Sequence, residues 1–190
     1  YPPYAPLYPE YLNREMPIHE QVRQRDVLLF YPYQSIQPFL DLLKQSASDP
    51  AVVSIKITIY RLARNSAIAK TLCAAAENGK DVLALVELRA RFDEENNIGW
   101  AKRLAEAGVT VIYGLDELKV HSKLLLITKR AGNEIKYITQ VGTGNYNERT
   151  SKLYTDMTLM TADMEMGADA SLVFNNLSVG TAVESSSTLW

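Results

Sequence analysis

His121 and Lys123 stand one residue apart in the run Lys119-Val-His-Ser-Lys-Leu-Leu-Leu-Ile-Thr-Lys129. Alternate residues of a strand face the same way. The apolar residues after Lys123 read as a buried strand, which puts an imidazole and an ammonium together at its mouth. A glycine loop, Gly142-Thr-Gly-Asn145, follows further along. A neutral imidazole is nucleophilic near neutral pH and can attack phosphorus, giving a phosphohistidine. A neighbouring ammonium favours the neutral ring by charge repulsion and stabilises charge on a transferring phosphoryl group. Glycines let a backbone approach a ligand closely, and their N–H groups can form an anion nest. Asn145 can orient the imidazole or donate to a phosphoryl oxygen. A satisfied core histidine is the competing reading, and Lys123 on the same face argues against it.

Two arginines follow strands. Arg61 comes after a strand ending at Tyr60, and Arg91 after one ending near Leu88. In parallel α/β sheets ligands gather beyond the carboxyl ends of strands, and guanidinium groups clamp phosphates. Arg64 and Arg89 are close enough in sequence to assist. A surface salt bridge is the plain reading of each arginine, and Arg91 has Asp93, Glu94 and Glu95 at hand. Two such sites beside a His-Lys strand favour a shared phosphate pocket. For Tyr154, just before the last strand, core packing is the default and a hydroxyl on a phosphate the sharper reading. No P-loop pattern occurs, and no Gly-x-Gly-x-x-Gly follows a strand.

The elements that must position these groups read as strands alternating with helices. Strands are expected over 26–33, 52–59, 81–88 and 109–113. Helices are expected over 35–48 with Ser35 as N-cap, 66–78 closed by Gly79, and 94–107 closed by Gly108. This predicts an α/β fold whose mixed sheet is mostly parallel and flanked by helices. The second half differs: strands over 120–128 and 135–141 flank the turn Arg130-Ala-Gly-Asn133. A turn centred near Gly132 sets His121 opposite Thr143 and Lys123 opposite Val141, give or take a residue or two. A strand over 157–161 and a helix over 163–176 complete the pattern. Residues 1–24 read as an extended Pro/Tyr-rich lead-in, 25–177 as the domain, and 178–190 as a polar C-terminal linker.

Composition narrows the function. The chain has 190 residues, 47% of them hydrophobic, enough for one sizeable core. A net charge of -2 gives no bulk attraction for nucleic acid or anionic membrane. The single cysteine, Cys73, excludes a disulfide framework and a cysteine zinc site, and two histidines cannot make a His-rich metal site. No apolar run reaches membrane-spanning length and no signal peptide is legible, so a reducing cytoplasm is expected.

His-x-Lys followed by Gly-[Ser/Thr]-x-Asn resembles the phospholipase D superfamily signature, although Thr128 stands where the usual Asp would. The closer resemblance is to type 1 polyphosphate kinases, whose catalytic half is built from two phospholipase-D-like domains. It rests on Arg25-Asp-Val-Leu-Leu-Phe-Tyr-Pro-Tyr33, Ile55-Lys-Ile-Thr-Ile-Tyr-Arg61, Val86-Glu-Leu-Arg-Ala-Arg-Phe-Asp-Glu-Glu95, Lys119-Val-His-Ser-Lys-Leu124, Gly142-Thr-Gly-Asn-Tyr-Asn147 and Leu153-Tyr-Thr-Asp156. These are similar to the first carboxy-terminal domain of that family.

The resemblance implies His121 as the phosphohistidine and Tyr154 as an ATP contact. It places Arg61 and Arg91 at the Mg²⁺ and phosphates. A guanidinium is a poor Mg²⁺ ligand, so these arginines are expected to hold phosphates that the metal bridges. The implied partners are ATP or ADP, inorganic polyphosphate and the other domains of such a kinase, with a homodimer left open. The family's second histidine-bearing domain is not encoded in these residues, and His19 is no substitute for it. The isolated chain is therefore expected to fold yet turn over ATP poorly or not at all. Two other functions fit the same residues: a single-motif phosphodiesterase completed by dimerisation, and a polyphosphate-binding module without turnover.

Overall fold

The computed structural model describes residues 4–87, 94–114, 119–181 and 187–188. The strands are β1 (Val27–Tyr31), β2 (Val52–Ile59), β3 (Asp81–Val86), β4 (Thr110–Tyr113), β5 (Leu124–Ala131), β6 (Glu134–Gly142) and β7 (Asp156–Thr161). The helices are α1 (Ile18–Gln24), α2 (Gln37–Ser48), α3 (Ala67–Glu77), α4 (Glu94–Glu106) and α5 (Met164–Ser178). The strands form one mixed sheet in the order β1-β7-β6-β5-β2-β3-β4.

The expected α/β class stands, but the sheet is not mostly parallel. Only β2, β3 and β4 run parallel, because α3 and α4 carry the chain back between them. The β2–β5, β5–β6, β6–β7 and β1–β7 pairs are antiparallel. The short connection between β5 and β6 permits no crossover, so that half of the sheet must alternate in direction.

Local chemistry explains the helix ends. The Ser66 side chain accepts from the Ala69 N–H and caps α3. Gly79, at φ +79°, takes the left-handed conformation just past its end. Ser35 does not occupy the N-cap of α2; Ile36 does, while the Ser35 hydroxyl accepts from the Gln37 N–H one step away. Asp163 caps α5 through the Met166 N–H.

Three layers result. Ile18 and Val22 of α1, Phe39 and Leu42 of α2, Leu72 of α3 and Leu104 of α4 pack on one face of the sheet. They meet Leu29, Ile55, Ile57, Leu125, Ile138 and Met160 there. Helix α5 covers part of the other face, where Ala170 and Phe174 meet Leu83, Leu124 and Leu126. The lead-in expected over 1–24 is therefore too long. Residues 18–24 form α1, and Ile18 is 1% exposed. Burial of its apolar side overrode the proline-rich context. Among the described residues no helix is long and apolar enough to cross a membrane.

The hairpin register lies within the residue or two allowed for it, while the start of its first strand is corrected. Leu124 pairs with Val141, and the Gly142 N–H donates to the Lys123 carbonyl. The register is one residue from the expected one, because the turn centres between Gly132 and Asn133. The strand expected from residue 120 begins only at Leu124 and runs on to Ala131.

The Phe39 ring is 1% exposed and stacks on Tyr146, with centroids 5.3 Å apart. Phe39→Ala should destabilise the fold by about 3–5 kcal/mol. Chemical denaturation measures this, and it should leave the slope of the transition unchanged.

Candidate active site

Residues 119–123 precede β5, and apart from the Gly142 N–H on the Lys123 carbonyl the bonds that hold them come from side chains. The Val120 N–H donates to Glu87 Oε2 at 3.2 Å, and Glu87 is 4% exposed. The Thr58 hydroxyl donates to the Ser122 carbonyl at 2.8 Å and accepts from the Leu124 N–H at 3.0 Å. Thr58 thus does for this segment what a strand ladder would do. Asn97 of α4 donates to the Tyr60 and Glu87 carbonyls and ties together the ends of β2 and β3.

His121 and Lys123 meet although neither lies in the ladder. Lys123 Nζ stands 3.0 Å from Nδ1 and 3.2 Å from Nε2 of His121, and it also donates to the His121 carbonyl. The imidazole is edge-on to the Tyr60 ring at 4.5 Å. Lys123 Nζ lies 5.5 Å and the Arg61 guanidinium 5.7 Å from the centre of that ring. Tyr60 is thus shared by one imidazole and two cations, held by its π-face. His121 itself is exposed and free to meet a ligand, while Lys123 is 7% exposed.

The glycine loop lies beside this group, as expected, but serves another purpose. Two of its N–H groups are committed: Gly142 donates to the Lys123 carbonyl and Thr143 to the Met157 carbonyl. They are not part of a free anion nest. A Cβ on Gly142 would come within 3.1 Å of the Gln140 and Thr158 side chains and the Met157 carbonyl. A Cβ on Gly144 would stand 2.6 Å from Asp156 Oδ2 and 2.9 Å from Asp156 Cβ. Both glycines exist so that the loop can lie against β7. Past the loop, the buried Tyr146 anchors it by stacking on Phe39 and bonding Gln140. The Oδ1 of Asn145 is buried and has no hydrogen-bond donor among the described residues.

Tyr154 is not in the His-Lys cluster. It is 63% exposed and lines a cavity of about 700 Å³ with Arg64, Asn96, Glu148, Arg149 and Lys152. None of His121, Lys123, Asn145 and Arg61 lines that cavity. The Glu148 carboxylate on its wall accepts from the Ser66 hydroxyl and the Ile68 N–H, fastening the wall to the start of α3. Arg91 and Arg89 lie outside the described residues. His19 sits in α1, and its charged neighbours include Lys129 and Asp49, near the far end of β5 from Lys123. Thr128 lies within the β5–β6 ladder opposite Tyr137, well along the strand from the imidazole. Sequence reasoning passed over Tyr60 and Asp156 as site residues. Tyr60 directly precedes Arg61, and a ring at a strand end next to that arginine was the available signal.

Burial, then Lys123, then Arg61 hold the His121 pKa below its usual value. Burial lowers the Lys123 pKa and Asp156 opposes that shift. Depression of an imidazole pKa favours the uncharged ring at neutral pH, the nucleophilic form. Any activity that needs this form should fall as pH drops through the depressed pKa. Lys123→Met should move the His121 midpoint upward, and the acid limb of such an activity should move with it. Proton NMR titration of the two histidines measures this, and the His19 midpoint should stay in place.

Polyphosphate kinase C-terminal domain 1 matches residues 17–182 of the chain. A polyphosphate kinase of Halalkalibacterium halodurans is 52% identical over 173 residues, 91% of this chain and 24% of that protein. The chain thus spans about a quarter of the length of the curated relative it matches. The crystal structure of polyphosphate kinase from Porphyromonas gingivalis shares the fold with a TM-score of 0.80 and 38% identity, over 95% of this chain and 31% of that one. A phospholipase D family member, Nuc from Salmonella typhimurium, has a TM-score of 0.62 at 17% identity, over 82% of this chain and 92% of that one. At that identity the likeness is one of fold. A family-domain match over residues 17–182, a curated relative at 52% identity and a solved structure of the same fold together establish that this chain belongs to the polyphosphate kinase family as its C-terminal domain 1.

Proposed function

We propose that this domain carries the phosphohistidine half of a polyphosphate kinase site, in which the γ-phosphate of ATP passes reversibly to inorganic polyphosphate. The observation that carries the proposal is the Lys123 ammonium 3.0 Å and 3.2 Å from the two imidazole nitrogens of an exposed histidine. A ring nitrogen of His121 attacks the γ-phosphorus, the bond to the bridging oxygen breaks, and ADP leaves. A terminal oxygen of polyphosphate then attacks the phosphohistidine, the N–P bond breaks, and the neutral imidazole returns. The polymer is one phosphate longer.

The residues divide this work by position. A phosphoryl group at His121 takes over the Lys123 ammonium and so frees the ring nitrogen that the ammonium now covers. Lys123 and Arg61, both within reach of the Tyr60 ring, hold the phosphoryl oxygens where charge builds up. Asn145 steadies the transferring group from the loop, and the sequence resemblance assigns Arg91 to the same task. Tyr154 offers a flat face to the nucleotide base, and Arg64, Arg149 and Lys152 give the neighbouring cavity its positive charge.

Among the described residues nothing fits Mg²⁺ as an ion held by side chains alone. Arginine is a cation, and among the described residues no group of three His, Cys, Asp or Glu side chains could hold a metal. Mg²⁺ belongs to the substrate, bridging the nucleotide phosphates that the arginines grip. ATP, ADP and polyphosphate are the ligands of this reading, and the cytoplasm, where ATP is plentiful, is the compartment it suits.

Incubation with γ-labelled ATP and Mg²⁺ should place acid-labile label on His121, and His121→Gln should abolish it. Lys123→Met should slow labelling by about 10²–10³-fold, the usual loss on removing one donor to a charged transition state. Tight polyphosphate binding with no labelled histidine in the chain or a full-length relative would replace the kinase reading with a binding module. Diester cleavage in EDTA would replace it with a phosphodiesterase.

Arg61→Ala should weaken tripolyphosphate binding at low ionic strength. The loss should shrink as salt approaches about 1 M, where the Debye length falls to about 3 Å. Calorimetric titration across a salt series measures this.

A further inference from the structure

We propose that Asp156 is a positioning residue: its carboxylate fixes the 142–145 loop against the His121–Lys123 pair. The proposal rests on the phosphate-holding reading of the site. Asp156 begins β7 and is partly buried. Its Oδ1 accepts from the Thr143 hydroxyl at 2.7 Å. The same hydroxyl accepts from the Met157 N–H at 3.0 Å, and the Thr143 N–H donates to the Met157 carbonyl at 3.0 Å. Thr143 is therefore tied to β7 through both its backbone and its side chain. The other side of the carboxylate lies against the Gly144 backbone so closely that no Cβ fits there. One short acidic side chain thus sets the distance of two consecutive loop residues from the strand.

The loop transmits that position to the site. Gly142, next to Thr143, donates to the carbonyl of Lys123. Asn145, next to Gly144, carries the unpartnered buried oxygen. Asp156 also supports the charge on Lys123 against burial. An acidic group so near a phosphate site is costly for anion binding, since it repels the ligand. Its presence needs a compensating role, and holding the loop supplies one. The sequence hinted at this only through its place in Leu153-Tyr-Thr-Asp156.

Charge and position predict opposite signs, which makes the role testable. Four variants separate them. Asp156→Asn removes the charge and keeps an oxygen for Thr143. Asp156→Ala removes both. Thr143→Val removes the hydroxyl and keeps the charge, and Thr143→Ser restores the hydroxyl. Two readouts apply: amide hydrogen exchange at Gly142 and residue 143, and tripolyphosphate affinity followed at the His121 C2 proton, with His19 as internal control.

In D156A and T143V the two amides should exchange about tenfold faster. Tripolyphosphate should bind about fivefold more weakly, the worth of one hydrogen bond. D156N and T143S should keep the parent's exchange, and D156N should bind at least as tightly. Tighter binding by D156A, the sign that charge removal alone gives, overturns the proposal. So does D156A exchange that matches D156N. If D156A does not fold, parent-like exchange in T143V overturns it. A parent chain that binds no tripolyphosphate defeats the phosphate-holding reading instead, while exchange still decides the role of Asp156.

Discussion

A lysine 7% exposed at the edge of a sheet must find oxygen and π partners for its charge, since burial of an unpaired ammonium costs several kcal/mol. Lys123 finds them in the His121 carbonyl, the imidazole, the Tyr60 ring and the field of Asp156. The partners come from three separate parts of the chain. The imidazole comes from the segment before β5, Tyr60 from the end of β2 and Asp156 from the start of β7. The geometry of this edge follows from satisfying one cation without neutralising it. The same arrangement leaves His121 uncharged and exposed.

The scaffold behind the edge works by linking loops to rigid elements. Thr58 stands in for a ladder partner, Glu87 holds the Val120 N–H, and Asn97 joins the ends of β2 and β3. Tyr146 sinks into the core on Phe39, so the chain leaving the glycine loop is fixed by apolar packing. Glu148 caps the start of α3 and sets one wall of the cavity that Tyr154 lines. Catalytic geometry needs groups held to a fraction of an ångström. Here polar side chains reach across from packed elements to supply that precision.

The cavity near Tyr154 and the His121–Lys123 pair are separate features of one edge. A nucleotide whose base rests in the first and whose phosphates reach the second would bridge them. The chain covers about a quarter of its curated relatives, and the imidazole faces outward from the domain.

Sequence alone determined the parts that depend on local chemistry and residue type. The period of apolar residues marked β2, β3, α2 and α3, serine and glycine marked the ends of α3, and spacing marked His121, Lys123 and the glycine loop as neighbours. Their proximity was also legible, because a short hairpin forces residues equidistant from its turn together. The tertiary structure decided the rest. The antiparallel half of the sheet and the one-residue register depend on where the turn centres, which composition does not specify. Helix α1 exists because the core offers Ile18 and Val22 a place to bury, a non-local term absent from the proline-rich segment itself. Tyr60 and Asp156 joined the site only when β2 and β7 were brought to flank Lys123. The glycines of the loop answered to a neighbour on another strand, which only packing could bring there. Periodicity records which face of an element is buried, and only packing decides what that face, and the edge beside it, will meet.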